Sequence, residues 1–178
     1  MIIETQRLMI REFSPGDCAA VHSYASDPRV VEHMMWGPNT EEETRAYLHL
    51  TIGQQHQEPR KVFEFAVVLK ETNQLIGGCG IHTPEQGQGE IGYCFNSGYW
   101  GQGFAAEAAC ALISFGFRQL ALHRIYATCR PENTGSAKVL QKAGMRYEGH
   151  IRGHKWFKGS WHDSYQYSIL EEEYVSSK

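Results

Sequence analysis

Gly98-Tyr99-Trp100-Gly101-Gln102-Gly103-Phe104-Ala105 joins an alternating stretch, Glu90-Ile91-Gly92-Tyr93-Cys94-Phe95, to one of helical period. In the helical stretch, Ala105, Ala108, Ala109, Leu112 and Gly116 recur at three- and four-residue spacing out to about Gln119. A strand that passes through glycines into a helix leaves the first-turn N–H groups unpaired and aimed outward, with the positive end of the helix dipole behind them. Glycines let a bulky anion come close to the backbone, so the segment suits a phosphate or pyrophosphate. A tight turn that needs glycine only for its dihedral angles fits the same residues, and the pattern alone does not choose. A Walker loop is excluded, because no Gly-Lys-Ser/Thr tripeptide occurs. A dinucleotide fold places its glycines after the first strand of a βαβ repeat, and here they follow a run of antiparallel strands.

Working outward, Arg124 to Cys129 alternates with Ile125, Ala127 and Cys129 on one face. Strand, four-turn helix and strand make a parallel βαβ crossover. Upstream, Val62 to Leu69 and Leu75 to Ile81 read as strands around the turn Glu71-Thr72-Asn73-Gln74, and Pro84 to Gly89 as a loop. Connections this short make an antiparallel meander. Near the N-terminus, Arg7 to Phe13 reads as a strand, and Ser14-Pro15-Gly16-Asp17 as a helix start capped by Ser14. That helix carries Cys18 to Tyr24 and stops before Asp27-Pro28. A further helix begins after Asn39-Thr40, with Glu41, Glu42 and Glu43 at its positive end. Downstream, Asn133 to Ala143 is a helix ended by Gly144, and Arg146 to Leu170 forms two strands around Lys158-Gly159-Ser160. The expected fold class is α+β, a mixed and mostly antiparallel sheet with one parallel βαβ crossover, over residues 1–178 as one domain.

Composition narrows the function. The chain has 178 residues, 42% hydrophobic and 21% charged, which suits a globular domain and excludes disorder, collagen and coiled coil. A net charge of −3 supplies no bulk basic field to recruit nucleic acid or anionic lipid. Five cysteines without a CxxC motif read as free buried thiols in a cytoplasmic protein. The start Met1-Ile2-Ile3-Glu4 lacks a signal-peptide pattern, and no apolar run approaches the roughly 18 residues of a membrane span. Glycine occurs 18 times, and nine of those lie in the 27 residues from Gly77 to Gly103. Such a concentration points to unusual backbone geometry or close backbone approach.

Trp100-Gly101-Gln102-Gly103-Phe104-Ala105 resembles motif A of the GNAT acetyltransferases, Gln/Arg-x-x-Gly-x-Gly/Ala. Glu107 after it, the run Asn133-Thr134-Gly135-Ser136-Ala137-Lys138-Val139-Leu140 ending at Gly144-Met145, and the opening Glu4-Thr5-Gln6-Arg7-Leu8 with Arg11 resemble the RimJ/RimL-like branch. The likeness covers nearly the whole chain in order. It implies acetyl-coenzyme A as donor, a primary amine as acceptor, and direct transfer without an acyl-enzyme or metal. By the same likeness, the N–H groups of Gly101, Gln102, Gly103, Phe104 and Ala105 would bind the pyrophosphate. Strand 90–96 would run beside the pantetheine arm with an N–H near Phe95 facing the thioester oxygen. Asn133 would bond the pantetheine arm, and Ser136 would sit near the sulfur as general acid, where many of these enzymes use a tyrosine. Asn133 as a plain helix cap and Ser136 as a solvent-facing helix residue are the competing readings. Trp100 departs from the Arg or Gln usual at its position, which removes a side-chain contact to the cofactor.

The base is the open role. Glu90, at the head of that strand, is the first candidate, against a solvated strand-end carboxylate. An α-amine of pKa near 8 is about one-tenth neutral at pH 7, whereas a lysine near 10.4 is neutral about once in 2,500. A site without a strong base therefore leans to peptide α-amines or small low-pKa amines. His150, His154 and His162, whose even spacing puts them on one strand face near Asp163, suggest a zinc site or a polar hairpin face. Arg146, Arg152, Lys155, Trp156, Phe157, Lys158 and Trp161 suggest an RNA-stacking stretch, an acceptor wall or a subunit contact. Trp36 is a candidate for the opposite wall. Two other classes compete: a non-catalytic acyl-coenzyme A sensor, and an RNA- or ribosome-binding module. The expected protein is a cytoplasmic monomer or homodimer without nucleic-acid or membrane partners.

Overall fold

The computed structural model describes residues 1–176. Strand β1 (Ile2–Glu4) pairs antiparallel with β2 (Leu8–Glu12), and the chain then turns through Ser14, whose N–H donates to Asp17 at 2.7 Å. Helices α1 (Cys18–Ala25), α2 (Pro28–Val31) and α3 (Glu41–Gln54) follow. Strands β3 (Val62–Leu69), β4 (Gln74–His82) and β5 (Gln88–Phe95) form the expected antiparallel meander. Helix α4 (Phe104–Gln119) crosses to β6 (Arg124–Cys129), and α5 (Thr134–Lys142) leads into the hairpin β7 (Arg146–Phe157) and β8 (Ser160–Leu170). A last helix, α6 (Glu171–Ser176), ends the described chain.

One sheet carries all eight strands in the order β1-β2-β3-β4-β5-β6-β8-β7, with β5 and β6 parallel and the other pairs antiparallel. Alternation divides the buried residues between its two faces. Leu8, Ile10, Phe65, Val67, Ile76, Ile81, Ile91 and Ile125 pack with Ala108, Leu112 and Phe115 of α4 and Leu140 of α5. Phe13, Val21, Tyr24, Val31, Leu48 and Ala66 make the core beneath α1, α2 and α3 on the opposite face.

Four local expectations need correction. β1, α2 and α6 are elements that periodicity over so few residues does not reveal. Asp27-Pro28 ends α1 but also starts α2, because Asp27 accepts from the Arg29 N–H at 3.0 Å and proline is tolerated in a first helical turn. The thiols are all free, yet Cys110 is exposed. The spacing of the three histidines does not keep them together on one strand face. His150 stands opposite Tyr165 and His162 opposite Lys155, and since residues 162 and 165 of β8 are three apart, the two histidines take opposite faces. His150 pairs with Asp163 at 2.6 Å, His154 with the Ser164 hydroxyl at 2.8 Å and His162 with the Ser160 hydroxyl at 2.9 Å.

Candidate active site

The parallel ladder between β5 and β6 runs only over Gln88↔Arg124, Gly89↔Ile125 and Glu90↔Tyr126. β5 continues to Phe95 and β6 to Cys129, so the two strands part and open a gap within the sheet. The Asn96 N–H donates to the Ile76 carbonyl at 2.9 Å, which points it toward β4. Alternation then turns the N–H groups of Tyr93 and Phe95, beyond the last β5–β6 pair, away from β4 and toward the gap. A cleft of about 560 Å³ passes through this opening. From the α4/α5 face it is lined by Ile91, Tyr93, Ser136 and Leu140, and from the α1/α3 face by Tyr24, Trp36, Glu64, His82 and Glu90.

At one end of β5 lies the glycine loop. Gly101 (φ +73°) and Gly103 (φ +83°) both occupy the left-handed region, where L side chains are strained. Gly103 is the N-cap of α4 and brings no side-chain cap, so the first-turn N–H groups are left to a ligand or solvent. Trp100 stands 51% exposed on this loop. Its indole N–H donates to the Phe95 carbonyl at 2.9 Å and staples the loop to the end of β5. The exposed Gln102 side chain donates to the Gly98 carbonyl at 3.2 Å within the loop. Phe104 is buried with Tyr99 in a tilted ring contact, and Ala105 is half-buried.

Glu107 is a brace of this loop. It accepts from the Thr5 hydroxyl at 2.6 Å, the Arg7 N–H at 2.8 Å and the Arg7 Nε at 2.7 Å. Arg7 in turn donates to the Gln102 carbonyl at 2.9 Å and lies over the Phe104 ring at 4.5 Å. Burial alone would raise the Glu107 carboxyl, but the hydrogen bonds from Thr5 and Arg7 outweigh it and hold the pKa below the usual value. A lowered native pKa stabilises the fold above the unfolded pKa near 4.3, and that contribution is lost as pH falls through the native value. Glu107→Ala is expected to cost about 2–3 kcal/mol and lower Tm by roughly 5–10 °C, read by thermal unfolding at pH 7.

Asn133 and Ser136 stand at the start of α5. The Asn133 Oδ1 accepts from the Ser136 N–H at 3.0 Å, so Asn133 is the helix cap and keeps two amide donors for another partner. The Ser136 hydroxyl lies 2.9 Å from the Tyr93 hydroxyl, which also donates to the Ser136 carbonyl at 3.2 Å. Tyr93 was not among the residues singled out from sequence. Burial pushes its phenol well above the usual range, so it stays protonated and can donate. The only sequence signal for it was its place in the alternation, two residues before Phe95.

Glu90 lies on the other face of β5 from Tyr93, because strand neighbours three apart point oppositely. Beside it, His82 bonds Glu64 at 2.5 Å, and Gly80 makes room, since a Cβ there would stand 2.7 Å from the Glu64 carboxyl. The Glu64 hydrogen bond raises the His82 pKa against the opposing effect of burial. This pair also escaped the sequence reading. A raised native pKa stabilises the fold below the unfolded value near 6.5 and is lost as pH rises through the native one. Glu64→Gln is expected to return the His82 pKa to or below 6.5, measured by NMR titration.

The β7–β8 hairpin closes one wall. Lys155 lines the cleft, the Lys158 ammonium donates to the Val31 carbonyl at 2.6 Å, and Phe157 is buried. Trp156 and Trp161 instead pack edge to face on each other and stand 60% and 64% exposed.

A sequence model described as an acetyltransferase (GNAT) domain matches residues 7–146. The chain belongs to the GNAT acetyltransferase family. It is 40% identical over 180 residues to the uncharacterized N-acetyltransferase YnaD of Bacillus subtilis, covering 98% of this chain and 99% of that one. The GNAT-family acetyltransferase structure from Bacillus anthracis is also 40% identical, with TM-score 0.87 over 97% of this chain and 99% of that one. A ribosomal-protein-S5-alanine acetyltransferase from Vibrio fischeri is 25% identical with TM-score 0.80, covering 97% of each chain. Among GNAT neighbours of the same fold, RimL was solved with coenzyme A bound. The family sets the chemistry as acetyl-coenzyme A-dependent acetyl transfer, and the RimJ/RimL-like likeness stands. Among the described residues no helix is long and apolar enough to cross a membrane.

Proposed function

We propose that this GNAT protein moves an acetyl group from acetyl-coenzyme A directly to a primary amine, a peptide N-terminal α-amine or a small amine. The observation that carries this reading is the parting of β5 from β6, which puts free backbone donors between two faces with different chemistry. The glycine-loop N–H groups, from Gly101 to Ala105, take the pyrophosphate. The Asn133 amide bonds the pantetheine arm. The Phe95 N–H faces the thioester oxygen and stabilises the charge that develops there.

On the α1/α3 face Glu90 receives the proton that the attacking amine loses. As the C–N bond forms and the C–S bond breaks, the departing sulfur takes a proton from Ser136, which regains one from solvent by way of the Tyr93 hydroxyl while Glu90 releases its proton to solvent. Residues 1–178 carry this as one domain, and cysteines free of disulfides suit a cytoplasmic setting.

Mixing the protein with acetyl-coenzyme A and a panel of amines, with free thiol as the readout, tests the reading. Thiol release that depends on the amine is expected, together with a rise in Tm on adding coenzyme A. A Tm rise without thiol release from any peptide, polyamine or small amine would make the protein an acyl-coenzyme A sensor. No Tm shift would remove the phosphate-loop assignment.

A further inference from the structure

Arg130 follows β6 directly and lines the acceptor side of the cleft. Only 7% of it is exposed, and its Nη1 is shielded from solvent with no hydrogen-bond partner. The Phe157 ring lies 5.8 Å from the guanidinium, a weak compensation. Glu132 and Asp163 attract it through space, but Asp163 is already bonded to His150, and among the described residues Arg130 makes no ion pair. Burying a guanidinium without an anion is costly, so such a group stands out. Lys155 lines the same wall, while Glu90 lies at the closed end of the gap, where β5 still pairs with β6, and Glu64 lies beyond it on β3. The cleft therefore has an acidic end and a basic end.

We infer that the acceptor is an amine that also carries a carboxylate, with Arg130 binding the carboxylate while the amine is held toward Glu90. This rests on the acetyl-transfer reading and adds the substrate class to it. The pantetheine arm offers only neutral acceptors, whereas a planar carboxylate matches the guanidinium fork and supplies the missing charge. A free amino acid and a peptide with an acidic second residue both present this chemistry.

The test compares wild type with Arg130→Met and Arg130→Lys on isosteric pairs. One set pairs several amino acids with their carboxamides. The other pairs Ala-Asp peptides with Ala-Asn peptides. The charged member of one set is expected to have kcat/KM at least about tenfold higher, and that set identifies the source. In Arg130→Met the preference should shrink to about twofold while coenzyme A affinity holds, and Arg130→Lys should keep part of it. Removing an unpaired buried charge should also leave the Tm of Arg130→Met equal to wild type or a few degrees higher. Lack of preference in both sets, a preference that survives Arg130→Met, or a tenfold loss of coenzyme A affinity in that variant would overturn the proposal. Should no amine release thiol, the acetyl-transfer reading fails separately. Calorimetry with the N-acetylated forms of each pair then decides the carboxylate site, since binding that favours the acid and vanishes in Arg130→Met sustains it and any other result ends it.

Discussion

Gly103→Asp is expected to abolish coenzyme A binding. The residue holds φ +83° at the N-cap of α4, beside N–H groups that no side chain caps. An aspartate there carries two separable costs. The left-handed backbone strains an L side chain by about 1–2 kcal/mol, somewhat less for Asp and Asn. The carboxylate also sets a negative charge against the pyrophosphate, worth several kcal/mol at the short range and reduced dielectric of a partly buried loop. Together these predict a loss of affinity of about a hundredfold or more, read by calorimetry. Gly103→Asn carries the strain without the charge and should lose only about tenfold. Equal losses in the two variants would mean that the loop works by shape and that anion binding lies elsewhere. Arg7 stands 3.4 Å from the position of a Cβ at residue 103, and an attraction to it would soften the effect of aspartate.

The second large effect is expected at the Tyr93–Ser136 pair. A general acid in the transition state contributes about 10²–10⁴-fold, so Ser136→Ala should lower kcat by about a hundredfold with coenzyme A affinity changed less than about threefold. Tyr93→Phe removes the hydroxyl 2.9 Å from Ser136 and should lower kcat by at least about tenfold. Because burial raises the Tyr93 pKa, the phenol keeps its proton throughout the assay range. The pH profile of kcat should accordingly show no alkaline fall below about pH 10. Unchanged turnover in Ser136→Ala with a large loss in Tyr93→Phe would transfer the acid role to the tyrosine. Unchanged turnover in both would leave the departing thiolate to water or the Asn133 amide.

Much of the fold was legible because its signals are local. Alternation marked β3, β4, β5 and β6, and three- and four-residue spacing marked α4. Asn133 and Gly144 bounded α5, since a cap bonds a residue only three positions away and a left-handed glycine ends a helix by its own dihedral angles. Short elements were missed for the same reason, because β1 and α2 offer three and four residues over which to read a period. Trp100 shows the limit within a motif. Its departure from the family pattern was visible, but its bond to the Phe95 carbonyl depends on how the loop folds back.

By itself, the amino-acid sequence determined the strand–glycine–helix segment, the meander before it, the caps and the family. Each of these follows from neighbours within about one helical turn or from a motif in order. Only the tertiary structure decided what the pieces do together. It brought Tyr93 to Ser136 across 43 residues and Glu107 to Arg7 across 100. It set Glu90 and Ser136 on opposite faces of one sheet and joined those faces by parting β5 from β6. It left Arg130 buried without an anion. Side-chain period tells which face a residue takes, whereas the partner waiting on that face is fixed by packing between segments far apart in the chain.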